Sequence, residues 1–218
     1  GNGHTISDLT ITGQYSPAGL FGIVEEQGSI ESLSVRGVVS VSDSADTTTG
    51  GIAGINHGTL ISCQFTGVVT GDSEVGGIVG RNESEGTIDH STARAIVTGK
   101  SSTGGIAGYN LGAITGCTNV GSINTEYPEA SLDTDGFTAK MVDYINNKMA
   151  AADDDATNSV TNVATDTGGI AGRSSGMILT SVNTGTIGYE HVGYNVGGIV
   201  GRTDGLVSGC VNQGRVLG

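Results

Sequence analysis

Tryptophan is absent from this sequence, proline occurs only twice, and aromatic residues make up 4% of its 218 positions. The scarcity of proline and the lack of a Gly-X-Y period exclude a collagen and a Pro/Gly-rich disordered chain, although glycine occurs 39 times. The shortage of aromatic rings also weakens any case for a deep cleft in which sugars stack on aromatic side chains. Because only 14% of the residues are charged and 36% are hydrophobic, we expect the chain to fold.

Basic residues are scarce as well. Nine Lys and Arg face 22 Asp and Glu, which gives a formal net charge of −13. This balance disfavours sequence-independent binding to nucleic acid or to anionic membranes, since both depend on clustered basic side chains. No apolar run approaches the length of a membrane span, and no signal peptide is recognisable. The chain begins at Gly1, so we expect a processed chain or part of a longer one, secreted or on the cell surface.

A glycine-rich pentapeptide dominates what is present. Gly-Gly-Ile-Ala-Gly or Gly-Gly-Ile-Val-Gly begins at Gly50, Gly76, Gly104, Gly168 and Gly197, and a degenerate form begins at Ala18. Successive copies are 26 to 32 residues apart, except for one step of 64. Self-similarity at this period indicates a stacked-repeat architecture, with coils that start near 18, 50, 76, 104, 168 and 197 in a single domain over 1–218.

Each repeat holds three short apolar runs rich in Ile, Val and Thr and bounded by turn-forming residues, which predicts three strands per coil. Stacking equivalent strands gives parallel ladders about 4.8 Å apart around a continuous interior column. The sequence therefore predicts an all-β, parallel β-helix of six to seven coils. We expect the second glycine of each pentapeptide to permit close stacking and the following residue to fill the core: Gly51, Gly77, Gly105, Gly169 and Gly198, with Leu20, Ile52, Ile78, Ile106, Ile170 and Ile199.

Two further columns follow from aligning the repeats. One contains Ile6, Ile30, Leu60, Ile88, Ile114, Ile178 and Val207, and the other contains Leu9, Leu33, Cys63, Ser91, Cys117, Ser181 and Cys210. Because serine separates successive cysteines, their thiols lie two or more rungs apart, roughly 10 Å, which is too far for a disulfide. The three cysteines are predicted to be buried, reduced and space-filling, rather than redox-active or metal-binding. Two sets of recurring asparagines predict ladders at the corners of the coils: Asn56, Asn82 and Asn110, and Asn119, Asn183 and Asn212.

The unit that begins Gly-Gly-Ile-Val-Gly-Arg-Asn at Gly76, and continues to Gly99, resembles the GLUG motif of bacterial surface and secreted proteins. The resemblance covers nearly the whole chain except one insertion. It implies a right-handed parallel β-helix on an exported protein, commonly thought adhesive, and it implies no catalytic residues and no cofactor. It also implies partners among extracellular glycans or host surface proteins, and further coils of the same polypeptide.

The insertion occupies roughly 125–164, within the step of 64 residues. Its apolar residues follow helical spacing, which predicts one amphipathic helix near 136–150 that packs on the solenoid or binds a partner: Phe137, Met141, Tyr144, Ile145 and Met149. The acidic run Asp153, Asp154 and Asp155 is a weak candidate for a calcium site.

The position after the pentapeptide carries the most suggestive pattern. It holds Ile23, Ile55, Arg81, Tyr109, Arg173 and Arg202 in successive coils, and thus three of the six arginines in the chain. An outward stripe of Arg81, Tyr109, Arg173 and Arg202 suits a carboxylated or sulfated glycan. The alternative is a stacked cation–π ladder that covers surface and is neutralised by nearby carboxylates.

Acidic residues raise the alternative of a polysaccharide lyase or glycoside hydrolase, which would need two carboxylates facing each other across a cleft. The candidate pairs lie near turns or loops, where acids are ordinarily solvated: Glu25 with Glu26, Asp72 with Glu74, Glu83 with Glu85, and Asp133 with Asp135. The sequence therefore favours a non-catalytic segment of a larger surface or secreted protein, an adhesive surface or a stalk.

Overall fold

A computed structural model gives the structure of the chain, and it describes residues 1–41, 47–125, 164–188 and 193–218. Within these ranges every regular element is a β-strand, and every pairing between strands is parallel. The strands stack as a β-solenoid of about six turns, which confirms the predicted fold. No helix of these ranges is long and apolar enough to cross a membrane.

Each coil passes through four sheets, which we number I to IV in the order in which the chain meets them from Thr48 onward. Sheet I contains β5 (Thr48–Gly50), β9 (Glu74–Gly76), β13 (Ser101–Gly104), β18 (Ala164–Gly168) and β22 (Gly193–Gly197). Sheet II contains β2 (Phe21–Val24), β6 (Ala53–Asn56), β10 (Val79–Asn82), β14 (Ala107–Asn110), β19 (Ala171–Ser174) and β23 (Val200–Thr203).

The other two sheets complete the coil. Sheet III contains β3 (Ser29–Glu31), β7 (Thr59–Ile61), β11 (Thr87–Asp89), β15 (Ala113–Thr115), β20 (Met177–Leu179) and β24 (Leu206–Ser208). Sheet IV contains β1 (Thr5–Gly13), β4 (Ser34–Val41), β8 (Gln64–Thr70), β12 (Thr92–Thr98), β16 (Thr118–Asn119), β17 (Ser122–Ile123), β21 (Val182–Asn183) and β25 (Val211–Asn212).

The number of strands per coil differs from the three that the sequence predicts. The additional strand is that of sheet I, and it ends on the first glycine of the pentapeptide, as β9 does at Gly76. Its inward-facing position holds either valine or threonine, with Val75 paired to Thr49 and Thr103. A strand of three residues with one apolar side chain and a terminal glycine has too little pattern to be recognised from the sequence.

The pentapeptide forms the corner between sheets I and II. A Cβ atom on Gly77 would lie 2.2 Å from the carbonyl oxygen of Gly105, the equivalent glycine of the next coil. The second glycines of the preceding and following coils are as crowded. A Cβ atom on Gly51 would lie 2.5 Å from the Gly77 carbonyl oxygen, and one on Gly105 would lie 2.3 Å from the Gly169 carbonyl oxygen. The corner can therefore stack at strand spacing only where this position has no side chain.

The residue after each of these glycines points into the core. Ile52, Ile78, Ile106 and Ile170 are fully buried, and Leu20 and Ile199 pack against the core as half-buried residues of the outermost coils. The column on sheet III is in register from Ile30 through Leu60 to Val207.

Two residues of the first coil were wrongly placed in these columns. Ile6 pairs with Val35 and Leu9 pairs with Gly37, so both belong to sheet IV, on β1. The pairing shifts register between them, and Ile6 is 38% exposed. β1 runs continuously for nine residues beside β4, so it has no bend that would divide it among the other sheets.

The remaining positions of the cysteine column lie on successive rungs, between sheets III and IV. The backbone N–H of Cys63 donates to Ser91 Oγ at 3.1 Å, and that of Cys117 donates to Ser181 Oγ at 3.2 Å. All three cysteines are free; Cys63 and Cys117 are buried and Cys210 is half-buried. Burial raises the pKa of the Cys117 thiol to about 12, which keeps it protonated and unreactive.

Asparagines form two ladders, as the sequence predicts, and all of them are buried except Asn212 at one end. Asn56 Nδ2 donates to Asn82 Oδ1, and Asn82 Nδ2 donates to Asn110 Oδ1, both at 2.8 Å. The second ladder runs from Asn119 through Asn183 to Asn212, with bonds of 2.8 and 2.7 Å. Each amide also bonds backbone within its own corner, so the ladders satisfy polar groups that the turns would otherwise leave unpaired.

The hydroxyl of Thr103 is buried and has no hydrogen-bond partner in the described part of the chain. Val75 occupies the same column on the adjacent coil. We therefore expect Thr103→Val to raise the free energy of unfolding by about 1 kcal/mol, because an unpaired hydroxyl is removed at constant volume. Urea denaturation followed by circular dichroism measures the change.

Thr167 supplies the control for this substitution, since it pairs with Thr103 and its Oγ1 accepts from Asn124 Nδ2 at 2.9 Å. Thr167→Val should destabilise the protein. Equal effects of the two substitutions would contradict the assignment.

The predicted helix near 136–150 and the candidate calcium residues Asp153, Asp154 and Asp155 lie outside the described residues, as does nearly all of the insertion at 125–164.

Candidate functional site

Sheet II carries the stripe that the sequence singled out. Backbone pairing places Ile23, Ile55, Arg81, Tyr109, Arg173 and Arg202 on consecutive rungs. Ile23 is 48% exposed at one end, Arg202 is exposed at the other, and the four residues between are half-buried. The side chains therefore form one continuous line on the surface, although they differ in charge and in partners.

Tyr109 joins two of the arginines. The guanidinium carbons of Arg81 and Arg173 each lie 5.1 Å from the centre of its ring, one from the rung before and one from the rung after. The Tyr109 hydroxyl lies 3.2 Å from Ser175 Oγ, which fixes the outer end of the ring. Such stacking of cations on an aromatic face stabilises the arrangement and holds both guanidinium groups at strand spacing.

Arg81 forms ion pairs with two carboxylates. Its Nη1 donates to Glu74 Oε1 at 2.8 Å, and its Nε donates to Glu83 Oε1 at 2.7 Å. Glu74 lies on sheet I, so its ion pair bridges the corner between sheets I and II, whereas Glu83 directly follows the strand of Arg81. This end of the stripe is a neutralised cation–π ladder, the alternative that the sequence left open.

Burial raises the pKa of Glu74, and the attraction of Arg81 offsets this only in part. A carboxyl group whose pKa is higher in the folded than in the unfolded state binds a proton more tightly when folded. Its contribution to stability is therefore lost as the pH rises from about 4.5 upward through the folded pKa. Glu74→Gln should remove this component, so we expect the stability of the wild type relative to the variant to fall across that window. Urea denaturation at a series of pH values measures it, and a parallel pair of profiles would contradict the raised pKa.

Arg173 and Arg202 differ from Arg81. Neither forms an ion pair with another described residue. The exposed Asp204 lies near both, and its pKa is lowered by a hydrogen bond from Ser175 and by the charges of the two arginines. The far end of the stripe therefore presents two guanidinium groups that form no ion pair with a described residue, with one exposed carboxylate nearby.

Sequence reasoning missed the partners of the stripe. Glu83 and Asp204 each stand two residues after an arginine, and Ser175 holds the same place after Arg173. This recurring spacing is a usable signal: residues two apart in extended chain point to the same face, and each of these three residues directly follows the strand of its arginine. The sequence does not predict the contact between Glu74 and Arg81. The two residues lie on either side of a corner, and the strand before that corner, β9, is not evident from the sequence.

In the described structure, the carboxylates that raise the possibility of a hydrolase either form ion pairs or lie exposed at turns. Glu74 and Glu83 share one guanidinium group, and Asp72 Oδ1 lies 2.6 Å from Lys100 Nζ. Glu25, Glu26 and Glu85 are exposed at turns, whereas Asp133 and Asp135 lie outside the described ranges. Among the described residues no group of three His, Cys, Asp or Glu could hold a metal ion.

One coil of the solenoid matches a known family. Residues 71–98 match the family model described as the GLUG motif. The chain contains a GLUG motif. The matched residues are one complete turn of the solenoid, from the bend before β9 to the end of β12, so the motif corresponds to a single coil with all four strands.

Among curated proteins the chain is similar to halomucin of Haloquadratum walsbyi (strain DSM 16790 / HBSQ001), with 37% identity over 94 residues. The alignment covers 43% of this chain and 1% of halomucin, so the chain spans only a very small part of that relative. No solved structure matches. The GLUG scaffold and this similarity fit a structural segment of a cell-surface or extracellular protein.

Proposed function

We propose that this chain is a non-catalytic β-solenoid segment of a larger surface or secreted protein, and that it binds an acidic glycan through Arg173 and Arg202. Tyr109 positions Arg173 from the rung before. The much greater length of halomucin supports a place in a larger protein, and further coils or domains would then be its neighbours.

The observation that carries the proposal is the contrast among the three arginines of one column. Arg81 is held by two carboxylates, whereas Arg173 and Arg202 have no ion pair with a described residue and lie on adjacent rungs. Their strands are neighbours, about 4.8 Å apart, and each guanidinium group can donate two parallel hydrogen bonds to a carboxylate or sulfate. Successive acidic groups of one polymer could thus be bound by successive coils.

The experiment compares two variants on an array of carboxylated and sulfated glycans. The double variant Arg173→Ala/Arg202→Ala should lose binding, and Arg81→Ala should retain it, because Arg81 is already neutralised. Binding of the wild type should also weaken as the salt concentration rises.

Three outcomes would refute the proposal. They are wild-type binding unchanged in the double variant, equal loss in Arg81→Ala, and no binding of any acidic glycan by the wild type. The last outcome would favour a rigid spacer, whereas depolymerisation of an acidic polysaccharide would favour the enzyme alternative.

A further inference from the structure

A recess opens beside the neutralised end of the stripe, where the outer faces of sheets I and II meet. It has a volume of about 500 Å³ and is lined by Thr48, Ile55, Ser73, Glu74, Arg81 and Glu83. This volume is within the usual range for sites that bind small molecules. The two ion pairs of Arg81 form its wall and fix the positions of both carboxylates.

The recess offers both kinds of hydrogen-bonding group. Glu74 uses one oxygen for Arg81 and the other for the Thr48 hydroxyl at 3.3 Å, while the second oxygen of Glu83 has no partner among the described residues. Arg81 bonds through Nε and Nη1, which leaves Nη2 free to donate. Ile55 adds an apolar surface next to these groups.

The charge of the recess selects among ligands. Two carboxylates and one guanidinium group give a net charge of −1, and the carboxylates are already hydrogen-bonded. An anionic ligand is repelled here, in contrast to the site proposed at Arg173 and Arg202. A simple cation would leave the free Arg81 donors and the Ile55 surface unused.

We propose that this recess binds a neutral pyranose through two adjacent hydroxyl groups. One hydroxyl donates to the free oxygen of Glu83, the neighbouring hydroxyl accepts from Arg81 Nη2, and the C–H face of the ring packs on Ile55. Sugar hydroxyls both donate and accept, which matches the mixed donors and acceptors of the wall. The site is distinct from the arginine pair and does not depend on the function proposed for that pair.

Saturation-transfer NMR and calorimetric titration of the full chain test the proposal, with the methyl pyranosides of glucose, mannose and galactose as probes. At least one probe should bind saturably. Glu83→Gln should weaken its binding about tenfold, because a hydrogen bond to a charged oxygen is replaced by a neutral one. Ser73→Trp should abolish binding by filling the recess, since Ser73 lines it and takes part in neither ion pair.

The double variant Arg173→Ala/Arg202→Ala is the matched control and should bind the neutral probe as the wild type does, whereas Ser73→Trp should keep any binding of acidic glycan. The two proposals can therefore fail separately. Absence of binding for all three probes, wild-type affinity in Ser73→Trp, or tighter binding of a carboxylated sugar at the recess would overturn this one.

Discussion

Gly172→Ala is expected to lower the free energy of unfolding by about 3 kcal/mol, the upper range for inserting a methyl group into a packed interior. A Cβ atom at this position would lie 2.3 Å from the carbonyl carbon of Ser102 and from the backbone nitrogen of Thr103. Both are backbone atoms of the adjoining sheet I, so no side chain can rotate away, and the two sheets must separate. Urea denaturation followed by circular dichroism measures the loss.

Gly22→Ala is the matched control, because Gly22 holds the same fifth position in the degenerate pentapeptide of the first coil. A Cβ atom there meets only the Pro17 carbonyl oxygen, at 3.6 Å, which is ordinary contact. The control should therefore cost far less. If both substitutions cost the same, the close approach of sheets I and II would not be the reason for the glycine.

Asn82→Ala is expected to cost about 4 kcal/mol, the sum of a small cavity and of several buried groups left without partners. Asn82 is fully buried; its Nδ2 donates to Asn110 Oδ1 at 2.8 Å and to the Gly86 carbonyl oxygen at 3.0 Å. Its Oδ1 accepts from Asn56 Nδ2. Removal of the amide interrupts the ladder in the middle and affects two neighbouring coils. The midpoint of urea denaturation should fall accordingly.

Asn212 provides a comparison at the exposed end of the second ladder, where it accepts from Asn183 and donates to Gly214. Asn212→Ala should cost much less, because water replaces the lost partners. Asn82→Ser should be intermediate, since Ser174 already occupies this column and accepts from Asn110 at 3.1 Å. An Asn82→Ala variant as stable as Asn212→Ala would show that the buried ladder contributes little.

The solenoid gives the surface its functional order. Because each coil adds one rung, a column of the sequence becomes a line on the molecule, and its charge can change from coil to coil without disturbing the core. The same column thus carries a neutralised arginine beside the recess. Two rungs further on begin two arginines that have no ion pair with any residue in the described ranges. We expect substitutions along this column to alter ligand preference with little effect on stability.

The sequence determined the fold because the repeats can be aligned with one another, which identifies the equivalent positions of successive coils. Copies of the pentapeptide identified the coils, and the isoleucine, cysteine–serine and asparagine columns followed from counting, since equivalent residues in a parallel ladder stack on one another. The columns failed only at Ile6 and Leu9, where β1 continues as one long strand and no repeat marks its register.

Only the tertiary structure decided which arginines are available. Arg81 and Arg173 occupy equivalent positions, but Arg81 pairs with Glu74 from across a corner and with Glu83 just past the end of its own strand, whereas Arg173 has no such partner among the described residues. Pairing of charges depends on distances of a few ångströms between side chains of different sheets, and these distances have no counterpart in the spacing of residues along the chain. The column could be predicted from the sequence, and the division of the column into a neutralised and an available half could not.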